Sequence, residues 1–261
     1  MYIPRIIPIL LLRGKGLVKT LKFGDPTYIG DPINAVRIFN DLKADELVFL
    51  DISATKENRQ IDLEIVKDIA DEAFMPFAVG GGISDILMVE KILSLGCEKI
   101  VINSSLYGNT NLIPQIVSNF GSQSLVLSID VKKNFWGNYE IFSHSGSKKQ
   151  KHVLDDVVSR ANDLGVGEII INSIDNDGQM TGYDLKLIKS VTSIAKCPTV
   201  ACGGAGSMKD FLLATEVGGA HAVAAGSMFV YHGPRKAVLI NYPSKEQIKE
   251  VFNNKEINVG I

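Results

Sequence analysis

Three cysteines, four histidines and one tryptophan are all that 261 residues supply of the types that staple a fold or bind metal. Cys97, Cys197 and Cys202 are odd in number and lack C-x-x-C spacing. That points to reduced thiols and a cytoplasmic setting, not to a disulfide framework. His144, His152, His221 and His232 show no HxxxH or HxH pairing, so no zinc site is expected. Long apolar runs are missing too. The longest, Ile6 to Leu12, is broken by Pro8 and falls well short of the roughly 20 residues of a membrane helix. Arg13, Gly14 and Lys15 follow it with no small-residue cleavage site, so it reads as a buried strand and not as a signal peptide. Neither sign of charge dominates. Lys+Arg 27 against Asp+Glu 29 leaves −2, which argues against broad electrostatic capture of nucleic acid. No low-complexity tract or linker divides the chain. What remains is one domain over 1–261, of ordinary globular composition and long enough to bury its own core.

Eight short β-rich apolar runs punctuate the chain: Ile6–Leu12, Glu46–Ile52, Pro76–Val79, Lys99–Asn103, Ser124–Val131, Glu168–Ser173, Pro198–Cys202 and Ala222–Ala225. Several are almost continuously Val, Ile and Leu, as parallel strands covered on both faces are. Helical spacing lies between them, over Ile61–Ala73, Met88–Leu95 and Val153–Leu164. Alternating strands and helices predict βαβ units, and eight of them predict a closed (β/α)8 TIM barrel rather than an open doubly wound sheet. Lys132–Ser147 interrupts the rhythm after strand five and reads as a small hairpin with its tip at 134–138. A polar tail after Phe252 is expected to fray.

The chain also repeats itself. Val79-Gly80-Gly81-Gly82-Ile83-Ser84 aligns with Cys202-Gly203-Gly204-Ala205-Gly206-Ser207, and on the same alignment Gly96 meets Gly219 and Ser104 meets Ser227. Asp51 and Asp175 each follow an apolar strand at nearly the same spacing. This predicts a barrel built from two duplicated (β/α)4 halves, approximately 1–122 and 123–252.

Chemistry in such a barrel sits at the C-terminal ends of the strands. There, glycine turns bring backbone N–H groups close to anions. Gly81 and Gly82 with Asn103 and Ser104 form one candidate phosphate site. Gly203 and Gly204 with Gly226 and Ser227, joined by Asp177 and Gly178, form a second across the mouth. Tight turns without a ligand are the simpler alternative. Asp130 ends an apolar strand, where a charge needs a purpose or a partner. It is a candidate general acid–base, or else the salt-bridge partner of Lys132 or Lys19. Lys19, in the loop after strand one, is within reach of a bound anion or simply solvated. At the opposite end, Arg5, Glu46, Lys99 and Glu168 stand at the starts of strands one, two, four and six. They read as a stabilising salt-bridge cluster or as a charged gate over the barrel axis.

These residues carry a resemblance. Arg5-Ile6-Ile7-Pro8, Asp45-Glu46-Leu47-Val48-Phe49-Leu50-Asp51-Ile52, Val79-Gly80-Gly81-Gly82-Ile83, Ser128-Ile129-Asp130, Ser173-Ile174-Asp175, Gly182-Tyr183-Asp184 and Gly203-Gly204-Ala205-Gly206 are similar, over almost the full length, to the cyclase (HisF-type) subunit of imidazole glycerol phosphate synthase. The resemblance implies a duplicated half-barrel that binds a substrate with two phosphates, needs no cofactor, and pairs with a HisH-like glutaminase at the barrel bottom. Ammonia from glutamine then passes through the barrel, and Arg5, Glu46, Lys99 and Glu168 fall on the gate positions. The sequence departs at strand one. The family pattern Cys-Leu-Asp-Val supplies an aspartate that works with the strand-five aspartate, whereas here the segment reads Ile9-Leu10-Leu11-Leu12. Leucine transfers no proton. The triple leucine, with Gly233-Pro234 and Ala237–Pro243, resembles the HisF-like acetamidino modification branch of surface-sugar biosynthesis, which implies an ATP-dependent sugar amidotransferase as a further partner. Three readings follow. The first is an ammonia-delivering subunit for acetamidino modification of a nucleotide-linked sugar. The second is a synthase cyclase forming imidazole glycerol phosphate and AICAR. The third is a non-catalytic scaffold.

Overall fold

A computed structural model describes residues 3–109 and 111–253. Its centre is a closed barrel of eight parallel strands: β1 Arg5–Arg13, β2 Leu47–Asp51, β3 Phe77–Gly80, β4 Lys99–Ile102, β5 Leu125–Lys133, β6 Glu168–Ser173, β7 Thr199–Cys202 and β8 Ala222–Ala225. Each pairs with the next, and β8 returns to β1 with Arg5 beside Ala222 and Pro8 beside Ala225. That closing pair excludes the open sheet. Every expected strand is present, with its ends displaced by no more than two residues.

Eight helices alternate with the strands: α1 Pro32–Asp41, α2 Leu63–Glu72, α3 Ile86–Ser94, α4 Leu112–Phe120, α5 Leu154–Asp163, α6 Leu185–Thr192, α7 Met208–Glu216 and α8 Lys245–Asn253. Their starts are written in short polar side chains. Asp31, Asp62, Asp85 and Asp184 each accept a first-turn backbone N–H, and Ser207 with Asp210 forms a capping box. Such caps satisfy donors that the helix itself leaves open.

Two-residue alternation sorts each strand between two cores. Ile6, Leu10 and Leu12 of β1 join the outer layer beneath the helices. Ile7 and Ile9 join Val48, Ala78, Val101, Val126, Ile170, Val200, Ala222 and Ala224 in an apolar lumen, with Leu11 and Leu50 packed on its upper edge. Both faces of every strand are therefore covered, which is why the runs read as near-continuous apolar sequence.

Two hairpins stand on the C-terminal rim. Residues 16–19 and 27–30 fold back on β1 as antiparallel strands. The expected insert after β5 pairs Tyr139–Phe142 with Asp130–Lys133 and turns at Asn134, with Phe135 and Trp136 exposed at its tip. Apart from Asn253, the polar tail expected after Phe252 lies outside the described residues. Among the described residues no helix is long and apolar enough to cross a membrane.

Candidate functional site

The strand ends open into a cavity of 1220 Å3. It is lined by all twelve residues singled out for that end of the barrel: Lys19, Gly81, Gly82, Asn103, Ser104, Asp130, Asp177, Gly178, Gly203, Gly204, Gly226 and Ser227. The topology collects them because every strand runs the same way and every βα loop lies at one end.

The two glycine motifs are geometric counterparts, but one residue out of the sequence alignment. A Cβ on Gly81 would stand 2.7 Å from the Asp51 carbonyl oxygen, and one on Gly203 would stand 2.6 Å from that of Ser173. A Cβ on Gly82 would meet the Arg59 carbonyl at 2.1 Å, and one on Gly204 the Gly182 carbonyl at 2.2 Å. The strand register agrees, with Leu50 beside Gly80 and Asn172 beside Cys202, although the N–H of Ile61 donates to Gly81 and that of Gly182 to Gly204. Gly81 thus corresponds to Gly203, not to Gly204, and the counterpart of Asp51 is Ser173, not Asp175. All four glycines have positive φ, and in both halves the neighbouring loop backbone fills the space a side chain would need.

Asp130 is buried, and its partners are neither Lys132 nor Lys19. Asn103 Nδ2 donates to one carboxylate oxygen at 2.7 Å and Asn172 Nδ2 to the other at 3.2 Å. Burial raises its pKa to about 7. The two amide donors oppose the rise, and the charge of Asp177 adds to it. A carboxyl with that pKa exchanges its proton near neutrality, as a general acid–base must. Asn103, expected to hold phosphate, therefore spends its amide nitrogen on Asp130.

Lys19 is not solvated. Its ammonium donates to the Ile9 carbonyl at 2.8 Å and fills the place left by the absent side chain of Gly226, where a Cβ would stand 2.0 Å from Nζ. Burial lowers its pKa to about 8, against the pull of Asp177. Asp177, half-buried, has its pKa raised by desolvation and held down by Lys19 and by Thr20, whose hydroxyl donates at 3.4 Å. Its backbone N–H is spent on Ser173, so Asp177 enters the second arc as the counter-charge of Lys19. Leu11 faces the same cavity. Strand β1 lies four places from β5 in the eight-strand ring, so a leucine occupies the side of the mouth opposite Asp130.

The sequence pattern alone did not single out four further lining residues. Arg59 reaches Asp51 at 2.7 Å and Ser53 at 2.7 Å beside the first arc, but it lies in a polar loop with no distinguishing pattern. Asn172 was legible in principle, since it shares the inward face of β6 with Glu168 and Ile170. His144 and Ser145, both in the left-handed region, bind the insert to the first arc. The His144 N–H donates to Ser104 Oγ at 3.0 Å, and the Ser145 hydroxyl donates to the Ile52 carbonyl at 2.7 Å.

At the other end, Arg5, Glu46, Lys99 and Glu168 close a ring over the lumen. Arg5 contacts both carboxylates, and Lys99 reaches Glu46 at 2.8 Å and Glu168 at 3.1 Å. Each acid is thus held by both cations. The loops around this ring expose Ile3, Leu42, Phe74 and Val217, with Phe74 87% exposed.

A closed parallel barrel with paired glycine turns and an ionisable carboxyl at its mouth defines a (β/α)8 barrel with a candidate site at the C-terminal ends of its strands. Comparison with known proteins narrows the class. A sequence model described as "Histidine biosynthesis protein" matches residues 5–234. A Pseudomonas aeruginosa protein provisionally named imidazole glycerol phosphate synthase subunit hisF2 is 47% identical over 244 residues, covering 94% of this chain and 97% of the relative. A Leptospira borgpetersenii protein, provisionally named as the HisF subunit of that synthase, is 48% identical over 250 residues, covering 95% and 98%. The imidazole glycerol phosphate synthase subunit HisF of Alkaliphilus metalliredigens is 41% identical over 228 residues, covering 87% and 90%. The chain belongs to this histidine biosynthesis family of HisF-type synthase subunits.

Proposed function

We propose that this chain is the ammonia-receiving barrel subunit of a glutamine amidotransferase of the imidazole glycerol phosphate synthase type. One observation carries the reading. A closed ring of two cations and two buried acids stands at one end of an apolar lumen, and Asp130 stands at the other. Neutral ammonia crosses such a lumen, whereas an unpaired ammonium ion would be buried at large cost. The exposed apolar side chains around the ring fit a docked glutaminase. The two glycine arcs, one in each proposed half (1–122 and 123–252), would hold the phosphates of the acceptor through backbone N–H groups, with Ser104 and Ser227 adding hydroxyls. Asp130 would move the proton.

The names of the relatives support cyclisation to imidazole glycerol phosphate and AICAR as the reaction. A second reading rests on Leu11. Without an acid on β1 the site has one proton-transfer group where the family pattern has two, and this supports delivery of the ammonia for acetamidino modification of a nucleotide-linked sugar by an ATP-dependent amidotransferase. The deciding experiment gives the purified chain ammonium salt and the open-chain phosphoribulosyl imidazole-carboxamide intermediate and follows loss of that substrate spectroscopically. Turnover at rates typical of enzymes establishes the cyclase. No turnover, from folded protein that still binds phosphate, eliminates it in favour of delivery.

A further inference from the structure

His144 lines the cavity beside the first glycine arc, and its surroundings fix which ring nitrogen carries the proton. Nδ1 lies 2.8 Å from Ser143 Oγ. Ser143 is fully buried, and its oxygen accepts from Gln150 Nε2 at 2.6 Å. The Gln150 amide is itself oriented, because the same nitrogen also donates to the Lys148 carbonyl at 3.4 Å. A buried hydroxyl needs an acceptor for its own proton. Among the described residues, Nδ1 is the acceptor that the Ser143 hydroxyl meets. Ser143 therefore donates to Nδ1, and the imidazole proton sits on Nε2. Burial and the nearby charge of Lys148 lower the His144 pKa, so at neutral pH the ring is uncharged and Nε2 is a donor. The backbone under the ring is held as firmly. His144 and Ser145 are consecutive non-glycine residues with φ of 53° and 52°, a conformation that costs about 1–3 kcal/mol each. Hydrogen bonds to Ser104 and to the Ile52 carbonyl keep them there.

Nδ1 faces buried Ser143, so the Nε2 edge of the ring is the one turned to the cavity. Its neighbours there are donors. Ser104 Oγ accepts the His144 backbone N–H, and among the described residues its own O–H has no acceptor. Lys148 lines the same cavity, is exposed, and forms no ion pair among the described residues. An imidazole N–H, a hydroxyl and an ammonium set side by side suit an oxyanion with several lone pairs. We infer that His144 is a further binding residue of this site, whose Nε2–H donates to an acceptor phosphate at the first arc while Ser143 and Gln150 position the ring. This rests on the phosphate-holding part of the proposed function. It adds to that reading a side-chain donor from the insert after β5, so that a residue of the second proposed half completes the arc of the first.

The test uses the whole chain labelled with 15N at pH 7.5. Long-range proton–nitrogen spectra read the His144 tautomer, the resonances being assigned by their loss in His144→Asn. Inorganic phosphate is then titrated against sodium chloride at equal ionic strength, and the Gly82 and Gly204 amides report the two arcs separately. His144→Asn tolerates a positive φ and keeps an acceptor where Nδ1 stood, but it removes Nε2. His144→Gln carries an N–H where Nε2 stood. The expected result is a proton on Nε2 and a saturable shift of that nitrogen with phosphate. The half-saturating concentration at Gly82 should rise about tenfold in His144→Asn, the worth of one hydrogen bond to a charged group. His144→Gln should recover most of that loss, and Gly204 should respond alike in all three proteins. A proton on Nδ1, or a Gly82 response that His144→Asn leaves intact, overturns the inference. Phosphate that moves Gly82 but not the His144 Nε2 also overturns it, while leaving the first arc a phosphate site. No response at Gly82 in wild-type protein overturns the inference and the first arc together. If His144→Asn does not fold, the wild-type spectra decide. Nitrogen transfer in the glutaminase complex tests the ammonia-receiving reading apart from all of these.

Discussion

Leu11 and Asp130 line one cavity from strands on opposite sides of the barrel, so a single carboxyl stands where the family pattern sets two. Leu11→Asp restores the pair. Loss of one general acid–base typically costs about 10²–10⁴-fold. Ammonium-dependent turnover of the phosphoribulosyl intermediate is therefore expected to rise at least about 10²-fold in the variant. An unchanged rate would show that the second acid is dispensable here or is supplied from elsewhere.

The buried charge of Asp130 sets a pH dependence of stability. Its folded pKa of about 7 lies above the unfolded value of about 3.9, so between these limits the native state binds the extra proton. Stability contributed by the protonated carboxyl is full below pH 4 and is lost as pH rises through 7. Asp130→Asn removes that slope. Denaturant unfolding from pH 5 to 8 should find the variant gaining on wild type by about 2.6 kcal/mol, the part of the shift of roughly three pKa units that falls in this window. Parallel curves would mean that Asp130 stays ionised throughout.

Lys99 is 20% exposed at its side chain and holds two carboxylates that are under 10% exposed. Lys99→Met leaves Arg5 alone to balance both. A fully buried pair broken this way loses about 3–5 kcal/mol, and partial screening brings the expected loss to about 2 kcal/mol. Urea unfolding measures it. In the glutaminase complex the same variant should hydrolyse glutamine with less of the nitrogen reaching the acceptor. A stable variant with full coupling would reduce the ring to an ordinary surface network.

Inorganic phosphate at a hundredfold excess over its dissociation constant should stabilise the chain by about 2.7 kcal/mol, which is roughly 5–10 °C in Tm for a chain of this size. Ser104→Ala and Ser227→Ala should each weaken that response, because each removes a hydroxyl from one arc. A melting temperature indifferent to phosphate would leave the glycines as turns only and favour the scaffold reading.

Much of this protein is set in its sequence. The two-residue alternation of β1 separates Ile6, Leu10 and Leu12 from Arg5, Ile7, Ile9 and Leu11, because a strand covered on both faces must sort its side chains. The glycines mark the turns, since no other residue tolerates the approach of the Asp51, Arg59, Ser173 and Gly182 backbones at positive φ. The strand starts already name the four charges at the barrel bottom. Tertiary structure decided the rest, because it depends on contacts between residues far apart in the chain. Closure of β8 on β1 brings Arg5, Glu46, Lys99 and Glu168 into one ring. The pairing of Asp130 with Asn103 and Asn172 replaces the expected lysine partner, since strands β4, β5 and β6 are neighbours while their residues are not. Lys19 reads as a loop lysine, but a hairpin folded onto β1 buries it against Gly226. The glycine motifs shift by one residue, because identity of letters aligns Gly80 with Gly203 while the backbone each must clear aligns Gly81 with it. Sequence fixes which side chains are available. Only packing sets their protonation and their partners, because both depend on who else is buried beside them.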